Sequence, residues 1–381
     1  MIGARGRRPG DRFPTAALAA LTLLAACGGR AATSGGDAAT PASAAGVCRA
    51  RDYWPTDGWR SATPAAEGMD SALLDSTVAR IPQRHPNVYA LLVVRHGYVV
   101  TEDYFGGHNA DESFDLRSAT KSVTSILVGI AIAHHALLGV DQRIVDVLPS
   151  ALVGDSIGER KRRITLRHLL TMTSGLEWSE SQAPGYLARA PAWAPAILAR
   201  PMVAEPGRRF NYSSGNAHLL SAAIERVTHT TAREFGNTSL FGPLGFQVPV
   251  LDWPADPSGV NAGGSGLRLT AREMAKLGYL YLNDGCWNGA SLVPASWVRE
   301  SVRAWSDPGG RGGTRYGYLW WLATLQGHAG YMAAGYGGQY IVVVPDLDLV
   351  VALTADPSPP AANAATQFEV VREVVRAAGR E

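Results

Sequence analysis

Ser118 and Lys121 stand three residues apart in the stretch Leu116-Arg117-Ser118-Ala119-Thr120-Lys121-Ser122-Val123. That spacing is close to one helical turn, so both side chains share a face. A serine with an amine one turn on has the makings of a nucleophile and its base, provided burial or a neighbour keeps the amine neutral. At the start of a helix the serine's own N–H is also an unpaired donor and can bind an anion. Ser-x-x-Lys is common on solvated helix faces too, so the spacing alone decides nothing. Two features favour chemistry. The chain holds 35 Lys and Arg, yet its lysines are Lys121, Lys161 and Lys276 alone. Lys121 also runs directly into Val123-Thr124-Ser125-Ile126-Leu127-Val128-Gly129-Ile130-Ala131-Ile132, where a merely solubilising charge is costly.

The rest of the chain must position that pair. Its 381 residues are 46% hydrophobic and 18% charged, which is ordinary globular chemistry with room for a large core. A net charge of +2 and no long basic run give no case for nucleic acid. There is no zinc-type cysteine spacing, glycine-rich phosphate loop or internal repeat, so no metal or cofactor is expected.

Arg5, Arg7, Arg8 and Arg12 precede a short apolar core, Phe13 to Leu24, which reads as a signal peptide over residues 1–26. Leu24-Ala25-Ala26-Cys27 resembles a bacterial lipobox, which implies cleavage before Cys27 and lipidation of its thiol. Gly28 to Gly46, rich in Gly, Ala, Ser and Thr, make residues 27–57 read as a flexible tether holding the remainder, 58–381, off a membrane. Cys48 and Cys286 are then left, as a disulfide or as two buried thiols.

The spacing predicts a helix from Gly68 to Arg80, then a buried strand from Val88 to Val94 that turns at Arg95-His96-Gly97 into Tyr98 to Tyr104. The middle of the chain, to about Trp305, has helical patterns with Gly- and Pro-rich loops. Strand patterns resume at Tyr316 to Trp321, Gln339 to Val344 and Leu349 to Leu353, before a closing helix from Phe368 to Ala378. Strands at both chain ends with helices between fit a mixed α/β (α+β) fold. In it, one antiparallel sheet built from both ends is flanked by helices and carries an inserted, mostly helical lobe.

Ser118-Ala119-Thr120-Lys121 resembles the active-site signature of the penicillin-recognising serine hydrolases. That family holds class C β-lactamases, D,D-peptidases, carboxylesterases and 6-aminohexanoate-dimer hydrolases. Further matches fall in the family's order: Thr165 to Leu176, Glu205 to Asn216, Ala262 to Leu267 and Gly335 to Gln339. The resemblance covers about Gly58 to Ala378 and implies the β-lactamase/D,D-peptidase-like fold. It implies Ser118 as the nucleophile that forms an acyl-enzyme, and Lys121 as the group that removes or relays its proton. It implies that Tyr212 hydrogen-bonds this pair and passes a proton to the leaving group, with the general base left open between Lys121 and Tyr212. The oxyanion would rest on the backbone N–H groups of Ser118 and Tyr336.

Two departures bear on substrate. The second motif is Tyr212-Ser213-Ser214, with serine where β-lactamases have asparagine. The third aligns with Ala333-Ala334-Gly335, where no cation stands to hold a carboxylate; Arg315 is the candidate to replace it. Both resemble the branch of 6-aminohexanoate-dimer hydrolases and esterases. Glu177, Trp178 and Ser214 are candidate pocket residues, whereas Trp320 and Trp321 read as sheet packing. The expected function is hydrolysis of small esters or amides. A D,D-peptidase or weak β-lactamase acting on peptidoglycan-like substrates, and a catalytically silent cell-envelope binding protein, are the alternatives.

Overall fold

A computed structural model describes residues 48–151, 158–246, 250–309, 313–358 and 364–379. The expected signal segment 1–26, Cys27 and the tether as far as residue 47 lie outside the described residues. Helix α1 (Ser71–Arg84) leads into the hairpin β1 (Val88–Arg95) and β2 (Tyr98–Tyr104), and then into α2 (Thr120–Ala133). The helical middle includes α3 (Leu166–Leu170), α4 (Ser214–Thr228) and α5 (Ala271–Leu282). The chain returns through β3 (Arg315–Tyr316), β4 (Trp321–Leu325), β5 (His328–Gly335), β6 (Gln339–Val344) and β7 (Leu349–Ala355) to α6 (Ala364–Ala378).

The seven strands form one sheet in the order β2-β1-β7-β6-β5-β4-β3. Every described pairing within it is antiparallel, and β1 joins the two chain ends through Leu91 opposite Leu353 and Val93 opposite Val351. Successive side chains of a strand point to opposite faces. Leu92, Val94, Ile341, Val343, Val350 and Ala352 pack with α2 and α5 on one face. Leu91, Val93, Val342, Val344, Val351 and Leu353 pack with α1 and α6 on the other. Both faces are covered, which is why β1, β6 and β7 are nearly continuous apolar runs.

Three details correct the sequence reading. Tyr316 to Trp321 is not one strand. Its ends belong to β3 and β4, and the chain turns between them, with Leu319 in the left-handed region at φ 62° and its N–H bonded to the Leu170 carbonyl. His328–Gly335, which lacks a long apolar run, is a full strand between β4 and β6. Residues 48–57, expected in the tether, are fastened to the folded body. Cys48 and Cys286 form a disulfide across 238 positions. Arg51 grips Asp348 through two bonds of 2.6 and 2.7 Å and Asn283 through a third of 2.6 Å. Cross-linking positions so far apart removes much freedom from the unfolded chain and stabilises the fold by about 2–5 kcal/mol. Among the described residues no helix is long and apolar enough to cross a membrane.

Candidate active site

Ser118 lies in a 3-10 turn, Arg117–Ala119, that runs straight into α2. Arg117 adopts φ 48°, an uncommon conformation for a residue with a side chain, and its N–H donates to Asp115 Oδ1 at 2.8 Å. Such backbone strain persists only where the surroundings impose it. Helix α2 is buried from Thr120 to Ala131, as its apolar sequence requires. Two of its polar side chains are satisfied by distant carbonyls: Ser122 Oγ donates to Leu319 O at 2.7 Å, and Thr124 Oγ1 to Gly263 O at 2.8 Å.

Lys121 is 1% exposed. Its Nζ stands 2.9 Å from Ser118 Oγ, 2.9 Å from Ser214 Oγ and 2.9 Å from the Gly264 carbonyl. These three oxygens fill the amine's three positions. Gly264 must be a glycine for this approach, because a Cβ there would lie 2.8 Å from Ser214 Cβ. Ser214 opens α4, whose N-cap Ser213 accepts the Asn216 N–H at 3.1 Å. Gly335 closes the site from the β5 side, where a Cβ would sit 2.2 Å from the Leu116 carbonyl oxygen. The next residue, Tyr336, is 55% exposed at the end of that strand.

Tyr212 is beside the pair but not bonded to it as expected. Lys121 Nζ lies 4.7 Å from the centre of its ring. Among the described residues, neither Ser118 nor Lys121 bonds Tyr212 Oη, since the amine's positions are taken by Ser118, Ser214 and Gly264. Trp321 stacks on the Tyr212 ring at 5.7 Å and 28°, and Tyr316 meets it edge-on at 6.3 Å. Trp321 packs in the sheet as expected and also touches Tyr212, while Trp320 is buried against Tyr281 and Tyr331.

Glu180 went unnoticed in the sequence. Its Oε2 accepts from Ser214 Oγ at 2.7 Å, and its Oε1 accepts from the Ser214 N–H at 2.6 Å and from Trp178 Nε1 at 2.7 Å. Trp178 thus reaches the site through Glu180. Glu177 does not, because it pairs with Arg200. Of the third motif, Ala333 is fully buried in the core and Gly335 abuts the Ser118 turn. Arg315 is paired with Asp307 at 3.3 Å, so the structure does not supply it as the missing cation. The signal that pointed toward Glu180 was its neighbour Trp178, already singled out two residues earlier.

A family model described as Beta-lactamase matches residues 74–376. The chain belongs to the beta-lactamase family. Within this family of serine hydrolases, it is 24% identical over 340 residues to the 6-aminohexanoate-dimer hydrolase of Paenarthrobacter ureafaciens, covering 82% of this chain and 85% of that one. Among solved structures it is similar to EstCE1, a hydrolase with promiscuous acyltransferase activity, at a TM-score of 0.65 and 16% identity, over 81% of this chain and 99% of that one. It is also similar to the octameric penicillin-binding protein homologue from Pyrococcus abyssi, at a TM-score of 0.61 and 20% identity, over 80% and 78% of the two chains. The antiparallel sheet built from both chain ends is the fold these structures share.

Proposed function

We propose that this protein is a serine acyl hydrolase that forms an acyl-enzyme on Ser118 with small esters or amides. The observation that carries this reading is the buried Lys121 amine, 2.9 Å from Ser118 Oγ. Ser118 Oγ attacks the carbonyl carbon while its proton passes to Lys121 Nζ. The carbonyl oxygen takes up the negative charge and rests on the N–H groups of Ser118 and Tyr336. Tyr212, held by Trp321 beside the amine, relays the proton to the departing alcohol or amine. Water then attacks the acyl carbon and gives its proton to the same base; the bond to Oγ breaks, the acid leaves and the base returns the proton to Ser118 Oγ.

Substrate choice follows from charge. A β-lactam or a D-Ala-D-Ala peptide brings a carboxylate, and no cation stands at Ala333. Glu180 instead adds a carboxylate beside Ser214. A charge-assisted hydrogen bond contributes about 1.5–3 kcal/mol, so its loss costs about tenfold or more in binding. A short-chain ester needs only the oxyanion donors and an apolar pocket. The expected result is that kcat/KM for p-nitrophenyl butyrate exceeds that for nitrocefin and for a D-Ala-D-Ala peptide by about tenfold or more. A preference for nitrocefin or the peptide would favour the D,D-peptidase or weak β-lactamase reading. No turnover of any of them would favour the silent binding protein.

We further propose that the protein is exported and held at a membrane by a lipid on Cys27. The lipobox-like Leu24-Ala25-Ala26-Cys27 and the Cys48–Cys286 disulfide, which suits an oxidising compartment, support this. Cys27→Ser should move the protein from the membrane fraction or block its processing. Equal incorporation of labelled fatty acid into wild type and Cys27→Ser would contradict it.

A further inference from the structure

We propose that Glu180 is a positioning residue that acts through the Ser214 hydroxyl to aim the lone pair of Lys121 at Ser118. This rests on the reading of Ser118 and Lys121 as nucleophile and base. To act as that base, Lys121 must hold two hydrogens and one lone pair. The Gly264 carbonyl only accepts, so it takes one hydrogen. Ser214 Oγ carries one hydrogen and accepts through its lone pairs. A carboxylate also only accepts, so Glu180 Oε2 draws the Ser214 hydrogen toward itself. The Ser214 lone pairs are then left facing Lys121, which must donate its second hydrogen to them. In the base form that leaves the lone pair for Ser118 Oγ, 2.9 Å away, to receive its proton.

Glu180 is itself held for this task. Trp178 Nε1 and the Ser214 N–H fix Oε1, leaving Oε2 for the hydroxyl. Its side chain is exposed, so water weakens any direct effect of its charge on Lys121. The effect that survives is the direction of the hydrogen bonds. In Glu180→Gln the remaining oxygen must still face the two N–H donors, so the new NH2 group faces Ser214 Oγ. The Ser214 hydrogen is then free to turn toward Lys121 and compete with Ser118 for its lone pair.

The rate at which a fluorophosphonate labels Ser118 in the full-length protein, followed by intact mass, reads this directly. The comparison is wild type, Glu180→Gln, Ser214→Ala and the double variant. Glu180→Gln should label about tenfold more slowly or worse. The double variant should label no more slowly than the slower single variant, within about twofold, because Glu180 acts only through that hydroxyl. Labelling of Glu180→Gln within about twofold of wild type would overturn the proposal. So would losses that multiply in the double variant, which would mark Glu180 as a prop for Trp178 and the start of α4. Melting curves separate slow labelling from unfolding, and Glu180→Ala, with the same outcomes, replaces Glu180→Gln if that variant melts early. No labelling of the wild type would overturn the functional reading and this one with it; labelled wild type with unaffected Glu180→Gln overturns this one alone.

Discussion

Ser118→Ala should lower turnover of p-nitrophenyl butyrate by at least about 10³-fold while leaving the fold intact. The hydroxyl is the atom that would carry the acyl group; the second hydroxyl on the same amine, Ser214 Oγ, donates to Glu180 instead. Its structural cost is small. Ser118 Oγ contacts Lys121 Nζ, and the amine keeps Ser214 Oγ and the Gly264 carbonyl when that contact is lost. One such bond contributes about 1 kcal/mol. A melting curve close to wild type alongside lost turnover is the expected pair of results. Near wild-type turnover would remove Ser118 from the mechanism.

Lys121→Met should cost both activity and stability. Methionine keeps the unbranched length but offers no donor, so Ser118 Oγ, Ser214 Oγ and the Gly264 carbonyl lose their common partner. The Gly264 carbonyl, whose contact is buried, loses its donor at a cost of about 1–3 kcal/mol, and the two part-buried hydroxyls lose less. Loss of a general base costs about 10²–10⁴-fold in rate. Steady-state kinetics and thermal melts of the variant check the two effects. Retained activity with lowered stability would make Lys121 a structural cation and shift the base to Tyr212.

What could be read in the sequence was local. Ser118 and Lys121 share a helical turn, so their spacing alone brings them together, and the apolar run after them foretold a buried helix. The strands β1, β6 and β7 were legible because the sheet is covered on both faces there, and the turn at Arg95-His96-Gly97 marked β2 as the partner of β1. Glu180 was not, because it sits in a loop 34 positions from Ser214 and no periodicity ties the two. Neighbouring Glu177 carries the same chemistry, and only the fold shows that Arg200 takes it away. Tyr316 to Trp321 has strand composition, but packing of its turn against α2 and α3 overrides that preference. Cys48 and Cys286 offered no basis for choosing a disulfide over thiols until the fold set their Cα atoms 5.7 Å apart.

The central claim is that Ser118 carries the covalent intermediate. Full-length protein treated with a fluorophosphonate, digested and mapped by tandem mass spectrometry tests it most directly. The account predicts a single adduct on Ser118, formed in wild type and missing from Ser118→Ala. An adduct on another residue, or none on an otherwise folded protein, would contradict it.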